Sequence, residues 1–186
     1  MLFKYEGWSV PQVTFQLPTD IGWKEISTAD IFAQKRVVAF TVSGAFTQPY
    51  SPVKLLGYNR YAEVFRNNGI DEIICISVND PFSLRSWAQE EGADQVSFMP
   101  DVNGDFTRSM GMMIDLSHRG MGWRSHRYSM LVNNGIIEKL FVEQGDFEAM
   151  PVVSNAETML NYINPKAQKP EETATLMHIW RAMLSA

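Results

Sequence analysis

Two nearly continuous apolar runs stand out in the hydrophobic pattern of the chain. Residues 36–42 and 72–78 are rich in valine and isoleucine, which is typical of strands buried on both faces of a sheet. Between them, apolar residues recur every three or four positions over residues 52–68, which predicts an amphipathic helix ending at Gly69. We expect Lys54 on its polar side.

A third strand and a second helix follow in the same order. Asp80 and Pro81 form a strong helix start, as N-cap and first helical residue, and this helix is expected to end at Gly92. Residues 96–99 then predict another strand. The strand–helix–strand–helix–strand order indicates parallel strands with right-handed crossovers, with residues 36–42 central in the sheet.

Both ends of this core carry antiparallel signals. Residues 10–17 alternate apolar and polar side chains and can pair with residues 23–26, after which Ser27 or Thr28 caps a short helix. Residues 101–113 read as a turn and a short helix. Residues 125–132 and 136–143 flank Asn134-Gly135, a strong hairpin signal, and helix 155–163 follows a predicted cap at Ser154. The pattern predicts an α/β fold: a central mixed sheet flanked by helices.

The end of the chain differs from the rest. We expect one domain over residues 1–164, a linker at 165–170 and a C-terminal amphipathic helix within 165–186. Its apolar residues follow helical spacing: Leu176, Ile179, Trp180, Met183 and Leu184. This stripe either packs on its own domain or forms a handle for a partner.

Composition narrows the functional classes. The formal net charge is −5, and the sequence has no long run of charged residues of one sign. Both features argue against nucleic acid or membrane as the main partner. The N-terminus lacks the apolar core of a signal peptide, and no apolar run reaches the ~20 residues that span a bilayer. Cys75 is the single cysteine, which fits a reducing compartment and predicts a cytoplasmic location.

The loop between the first buried strand and its helix is the candidate reactive site. A helix N-terminus offers backbone N–H donors and the positive end of the helix dipole. Ser51 is predicted to cap this helix, and Pro52 to be its first residue. The side chain at this position is Tyr50, a phenol of low reactivity.

Several motifs in one order resemble the peroxiredoxins, specifically the type five (atypical, glutaredoxin-linked) branch. The similarity spans roughly residues 10–163. It is carried by SGAFTQPYS at 43–51 with Leu55, Gly57 and Tyr58; SVNDPF at 77–82 with Trp87; Asp101, Gly104, Phe106, Thr107, Met110 and Gly111; RSHRYSM at 124–130; and Asn134-Gly135.

The resemblance implies a thioredoxin-like fold and the reduction of hydroperoxides by a cysteine thiolate. Thr47 and Arg127 keep the family's threonine and arginine positions, whereas Tyr50 stands where the peroxidatic cysteine would be. Neighbouring positions depart as well: Ser43 replaces a proline, Lys54 a histidine and Leu56 a proline.

These departures imply altered use of the pocket. A phenol with an ordinary pKa of ~10 is only about 0.1% ionised at pH 7, and it forms no equivalent of a sulfenic acid. We therefore expect a peroxiredoxin-like protein without hydroperoxide reductase turnover, acting as a binding or regulatory relative in redox homeostasis. The resemblance also implies a homodimer, near Phe46 of the loop and Phe82.

The alternative is a residual thiol peroxidase or redox sensor that uses Cys75, with thioredoxin, glutaredoxin or glutathione as reductant. Cys75 lies within an apolar strand, where a thiol is usually structural and inert. The C-terminal segment has no cysteine, so it cannot serve as an attached glutaredoxin relay.

No cofactor or metal is expected. The three histidines, His118, His126 and His178, lack zinc-ligand spacing. The acidic turn that begins at Asp101 has neither the glycine at position six nor the glutamate at position twelve of a calcium loop.

Overall fold

A computed structural model describes residues 6–47, 50–144 and 150–170. The elements are β1 (Thr14–Thr19), β2 (Gly22–Ser27), α1 (Thr28–Phe32), β3 (Arg36–Thr41), α2 (Tyr50–Asn67), β4 (Glu72–Ser77), α3 (Pro81–Glu91), β5 (Ser97–Pro100), α4 (Asp105–Ser109), β6 (Met113–Asp115), a 3₁₀ turn (Ser117–Arg119), β7 (Trp123–Ser125), β8 (Tyr128–Asn133), β9 (Ile136–Val142) and α5 (Ala156–Ile163).

A five-stranded mixed sheet in the order β5-β4-β3-β8-β9 forms the centre of the described fold. Strands β3, β4 and β5 are parallel, and β8 and β9 run antiparallel to their neighbours. This arrangement confirms the predicted mixed sheet, with β3 in the middle and the β8–β9 hairpin at one edge.

Strand β3 divides two cores because its side chains alternate between the faces of the sheet. Val38 and Phe40 pack in the core under α2, α3 and α5. Val37 and Ala39 pack on the other face, with α1 and α4. The continuous apolar run in the sequence is explained by burial on both sides.

Two helix starts were predicted wrongly. Helix α2 begins at Tyr50 and already contains Ser51, whose backbone N–H donates to the Thr47 carbonyl at 3.3 Å, so Ser51 is not the cap. Helix α5 is capped by Asn155, whose side chain accepts from the Thr158 N–H at 2.8 Å. In contrast, Asp80 caps α3 as predicted.

The single strand predicted at 125–132 is also wrong. Its first part belongs to β7, which pairs with β6, and its second part is β8, which pairs with β3 and β9. The chain changes partners between them: the His126 N–H donates to the Met112 carbonyl, and the Arg127 carbonyl accepts from the Glu143 N–H.

The predicted C-terminal helix lies outside the described residues, which end at Pro170. Within the described part of the chain, no helix has the length and apolar character needed to cross a membrane.

Candidate functional site

The loop after β3 is held by the loop after β4, because the parallel strands end at the same edge of the sheet. Asn79 accepts two hydrogen bonds at its Oδ1, from the Ala45 N–H and the Ser77 hydroxyl, each at 2.9 Å. The loop after β3 and the loop after β4 therefore form one structural unit at the start of α2.

Gly44 allows a close approach within this unit. A Cβ atom added at Gly44 would lie 3.0 Å from Thr47 Oγ1 and 3.3 Å from Arg124 Nη1. Arg124 donates from Nη1 to the Val78 carbonyl at 2.7 Å and from Nε to the Met121 carbonyl at 2.8 Å. Its guanidinium thus ties the β6–β7 hairpin to the loop after β4.

Tyr50 and Thr47 flank the start of α2. Tyr50 is the first residue of the helix and is half-buried. The Thr47 hydroxyl donates to the Gly44 carbonyl, while the Thr47 carbonyl accepts from the Ser51 N–H. Thr47 therefore fixes the loop and the first helical turn relative to each other.

Arg127 lies buried in the segment between β7 and β8. Its charge reaches Lys54 and lowers the pKa of that amine. Lys54 follows Tyr50 by four residues, so both lie on the same side of α2. The structure thus places Arg127 close enough to α2 for its charge to act on Lys54, and a hydrogen bond between Tyr50 and Arg127 remains a prediction.

Lys54 is buried, and its expected place on the polar side of α2 is wrong. Its side chain is only 2% exposed, and its Nζ donates to the Tyr128 carbonyl at 3.0 Å and to the Ser154 hydroxyl at 2.7 Å. The sequence offered a signal for this burial: Lys54 precedes Tyr58 by four residues and therefore lies on its face of the helix.

The Lys54 ammonium belongs to a buried network with Ser154 and Glu143. Burial lowers the pKa of Lys54 to about 7, although the charge of Glu143 opposes that shift. Glu143 accepts from the Ser154 N–H at 2.6 Å. Desolvation raises the pKa of Glu143, but the hydrogen bonds from Ser154 and the charge of Lys54 lower it overall.

This network also orders the helix beneath it. Tyr58 donates from its hydroxyl to the Ser154 carbonyl at 2.9 Å, and its ring stacks on Phe40 at 4.1 Å between centroids. Sequence reasoning missed Glu143 and assigned Ser154 to a helix cap. Both residues are distant in sequence from Lys54, so helical spacing gave no sign of the contact.

Cys75 lies in the middle of β4 and is completely buried. Burial raises the pKa of its thiol to about 12, with a small opposing effect from the charge of Lys54. In this fold the thiol is not accessible to solvent. A disulfide between two copies would require the core to open.

A ligand groove and a metal site are two further possibilities among the described residues. A groove of about 590 Å³ lies between β1 and α3 and contains none of Tyr50, Thr47, Arg127 and Cys75. Among the described residues, no group of three or more histidine, cysteine or acidic side chains could hold a metal ion.

Comparisons with known proteins agree with this architecture. The Redoxin family model matches residues 6–160. A hybrid peroxiredoxin, hyPrx5, from Haemophilus influenzae is 43% identical over 166 residues, covering 89% of this chain and 69% of that protein. A peroxiredoxin from Rhizobium etli is 39% identical over 145 residues, covering 73% of this chain and 81% of its own length.

Solved structures are similar over most of the chain. Reduced Prx3 in complex with H₂O₂ from Vibrio vulnificus is 34% identical with a TM-score of 0.79, covering 88% of this chain and all of the other. The 1-Cys peroxiredoxin antioxidant protein from Plasmodium falciparum is 28% identical with a TM-score of 0.78, covering 87% and 99%.

The fold is therefore the thioredoxin-like α/β fold of the peroxiredoxins, as the sequence predicted. The chain belongs to the Redoxin family, and its relatives include peroxiredoxins of the type five kind.

Proposed function

We propose that this Redoxin-family protein does not reduce hydroperoxides and acts as a binding or regulatory relative of thiol-dependent peroxidases. One observation supports this most directly: the single cysteine, Cys75, is buried in β4 with its pKa raised to about 12. Such a pKa leaves only about one thiol in 10⁵ ionised at pH 7, and the thiolate is the nucleophile.

The helix start supports the same proposal. Tyr50 begins α2, and we assign it to the position of the peroxidatic cysteine in the type five branch. We assign Thr47 and Arg127 to the threonine and arginine positions of the same branch. A phenol can donate and accept hydrogen bonds there, but it cannot take an oxygen atom from a peroxide as sulfur does.

The rival proposal is a thiol peroxidase or redox sensor in which Cys75 reacts and thioredoxin or glutathione restores it. Burial opposes this function, because reactive cysteines are partly exposed and near positive charge. Lys54 supplies a nearby positive charge, yet the pKa of Cys75 still rises overall.

A peroxide-consumption assay separates these functions. The wild-type chain, Cys75→Ser and Cys75→Ala are each supplied with hydrogen peroxide and with thioredoxin or glutathione as reductant. We expect all three to match the rate without protein. Turnover by the wild type that both Cys75 variants lose would overturn the proposal and establish the rival.

We further propose that binding occurs through a homodimer formed beside the site. Phe46, in the loop before α2, is 46% exposed, and Phe82, at the start of α3, is 57% exposed. Phe82 also packs edge-on against the exposed Trp23 at 6.0 Å between centroids. Exposed aromatic clusters of this kind favour association.

A reducing compartment such as the cytoplasm suits a chain with one unpaired thiol. Some relatives carry names that place them in mitochondria, including Peroxiredoxin-2F of Arabidopsis thaliana.

A further inference from the structure

The first half of α2 has an unusual distribution of polar and apolar side chains. Ser51 and Lys54 are buried, at 3% and 2% exposure. Val53, Leu56 and Gly57, in contrast, are partly exposed on the outer side of the helix. The outer stripe of a helix normally carries the polar residues, and a helix that is apolar on this side as well is normally covered.

The segment before α5 extends this apolar area. Val152 and Val153 are 66% and 37% exposed. The next residue, Ser154, is fixed against α2 by its bonds with Lys54 and Tyr58, at 2.7 and 2.9 Å.

The helix α2 and the start of α5 are in contact at Gly57. A Cβ added at Gly57 would lie 3.9 Å from the Ala156 methyl group, which is in van der Waals contact. Five apolar positions belong to the two segments that meet at this contact, and they are called here the outer apolar surface: Val53, Leu56, Gly57, Val152 and Val153.

The described chain returns toward this surface after α5. Ala167 packs against the core under α2 and α5. Lys169 then forms an ion pair with Glu157 at 2.7 Å, and Glu157 is in the first turn of α5. The chain thus runs back from the end of α5 to its beginning, which is adjacent to the outer apolar surface.

Sixteen residues follow Pro170, and their sequence contains an apolar stripe of five side chains at helical spacing. A helix of that length would extend about 24 Å, enough to cross the first half of α2. The position of the chain end, its direction and the length that remains all favour this segment as the cover.

We propose that residues 171–186 dock in cis on the outer apolar surface, with the stripe formed by Leu176, Ile179, Trp180, Met183 and Leu184 facing it. The segment then supports α2 from outside, opposite the buried network of Lys54. This inference is independent of whether the site reacts with peroxide.

Disulfide trapping in the chain of residues 1–186 tests the proposal. The double variant Val152→Cys/Ile179→Cys is oxidised under native conditions, and products are separated on a non-reducing gel and identified by mass spectrometry. We expect a monomeric product that has lost two hydrogens. Native Cys75 is buried. The single variants Val152→Cys and Ile179→Cys, which both keep Cys75, measure any disulfide that Cys75 forms.

Two matched pairs control for random collision. Glu90→Cys/Ile179→Cys places the first thiol on the exposed face of α3, and Val152→Cys/Arg181→Cys moves the second thiol off the stripe. We expect the Val152–Ile179 pair to close at least tenfold faster than either control. Equal rates in the three pairs would overturn the docking, and a product that is only dimeric would assign the segment to a second copy.

A further variant tests the surface itself. Leu56→Gln in the trapping background should slow closure severalfold, whereas Ile21→Gln, at an exposed position in the turn between β1 and β2, should leave the rate unchanged. An unchanged rate in Leu56→Gln would show that the segment docks elsewhere. Because Leu56 is partly exposed, this change leaves the core intact.

Discussion

Lys54 is a residue whose environment the sequence pattern predicted wrongly. Charged side chains are rarely buried, so the pattern assigned this lysine to solvent. Its burial depends on acceptors supplied by Tyr128 and Ser154, which are 74 and 100 residues away. Propensity and periodicity describe neighbours along the chain and carry no information about such distant partners.

The first prediction concerns the pH dependence of stability. The folded-state pKa of Lys54, about 7, lies below its ordinary value of 10.5, so the unfolded chain binds more protons between these values. The free energy of unfolding should therefore rise with pH above 7. Above pH 9 the raised pKa of Cys75 begins to oppose this trend.

Urea unfolding at pH 7, 8 and 9 measures the effect. Between pH 7 and 9 we expect a gain of about 2 kcal/mol in the wild type, from a limiting slope of about 1.4 kcal/mol per pH unit. Lys54→Met should abolish the gain, and Lys24→Met, at an exposed position, should preserve it. A flat wild-type profile would mean that Lys54 keeps an ordinary pKa when folded.

The second prediction concerns Tyr50. In Tyr50→Cys the new thiol lies at the start of α2, in the pocket that we propose for Thr47 and Arg127, so we expect its pKa to fall below the ordinary ~8.5 and weak peroxide reactivity to appear. Ser83→Cys, in the first turn of α3, provides a helix start without Arg127.

Thiol titration and the rate of reaction with hydrogen peroxide provide the measurements. The Tyr50→Cys thiol should be more acidic and react faster than the Ser83→Cys thiol, and Arg127→Gln in the Tyr50→Cys background should remove the difference. Equal reactivity at both positions would mean that the site retains no pocket for a thiolate.

At the scale of elements, sequence prediction worked where a signal is local. The alternating pattern of β1, the Asp80-Pro81 start of α3 and the Asn134-Gly135 turn each act within a few residues, and each was found. The boundary between β7 and β8 was missed because both parts are suitable strand sequences. Only their different partners, β6 and β3, separate them.

The third prediction tests the reassigned start of α5. Asn155→Ala removes the helix cap and should lower the free energy of unfolding by about 1 kcal/mol at every pH from 7 to 9. Ser154→Ala removes an acceptor of the buried Lys54 and should cost about 1–3 kcal/mol at pH 7.

The pH dependence distinguishes the two roles. The loss caused by Ser154→Ala should shrink toward pH 9 as Lys54 loses its charge, whereas the loss caused by Asn155→Ala should stay constant. Urea unfolding of both variants at the same three pH values provides the comparison. Identical profiles would contradict the separate assignments of Ser154 and Asn155.

At the scale of the whole molecule, the predicted mixed sheet and the central position of β3 are both confirmed. The candidate site was harder to derive because it combines three loops from different parts of the sequence. Resemblance to a family supplied Thr47 and Arg127, but the physical links through Asn79 and Arg124 became visible only in the fold.

The fourth prediction concerns assembly. Sedimentation velocity should show a dimer for the wild type and a mostly monomeric species for Phe46→Asn combined with Phe82→Asp. Asparagine is chosen at position 46 because Phe46 has a φ of 60°, in the left-handed region that asparagine tolerates better than most residues. Trp123→Asp, which changes an exposed aromatic residue on β7, should remain dimeric. A monomeric wild type would contradict the proposed dimer.

The depth of Cys75 gives the protein its own chemical reporter. A thiol reagent in solution can modify this side chain only when the sheet opens around β4, so the labelling rate counts opening events. Ligands, mutations or partners that stabilise the native state should lower the logarithm of the labelling rate in proportion to the free energy that they add. The one sulfhydryl of this chain can thus report stability by mass spectrometry, without any attached dye.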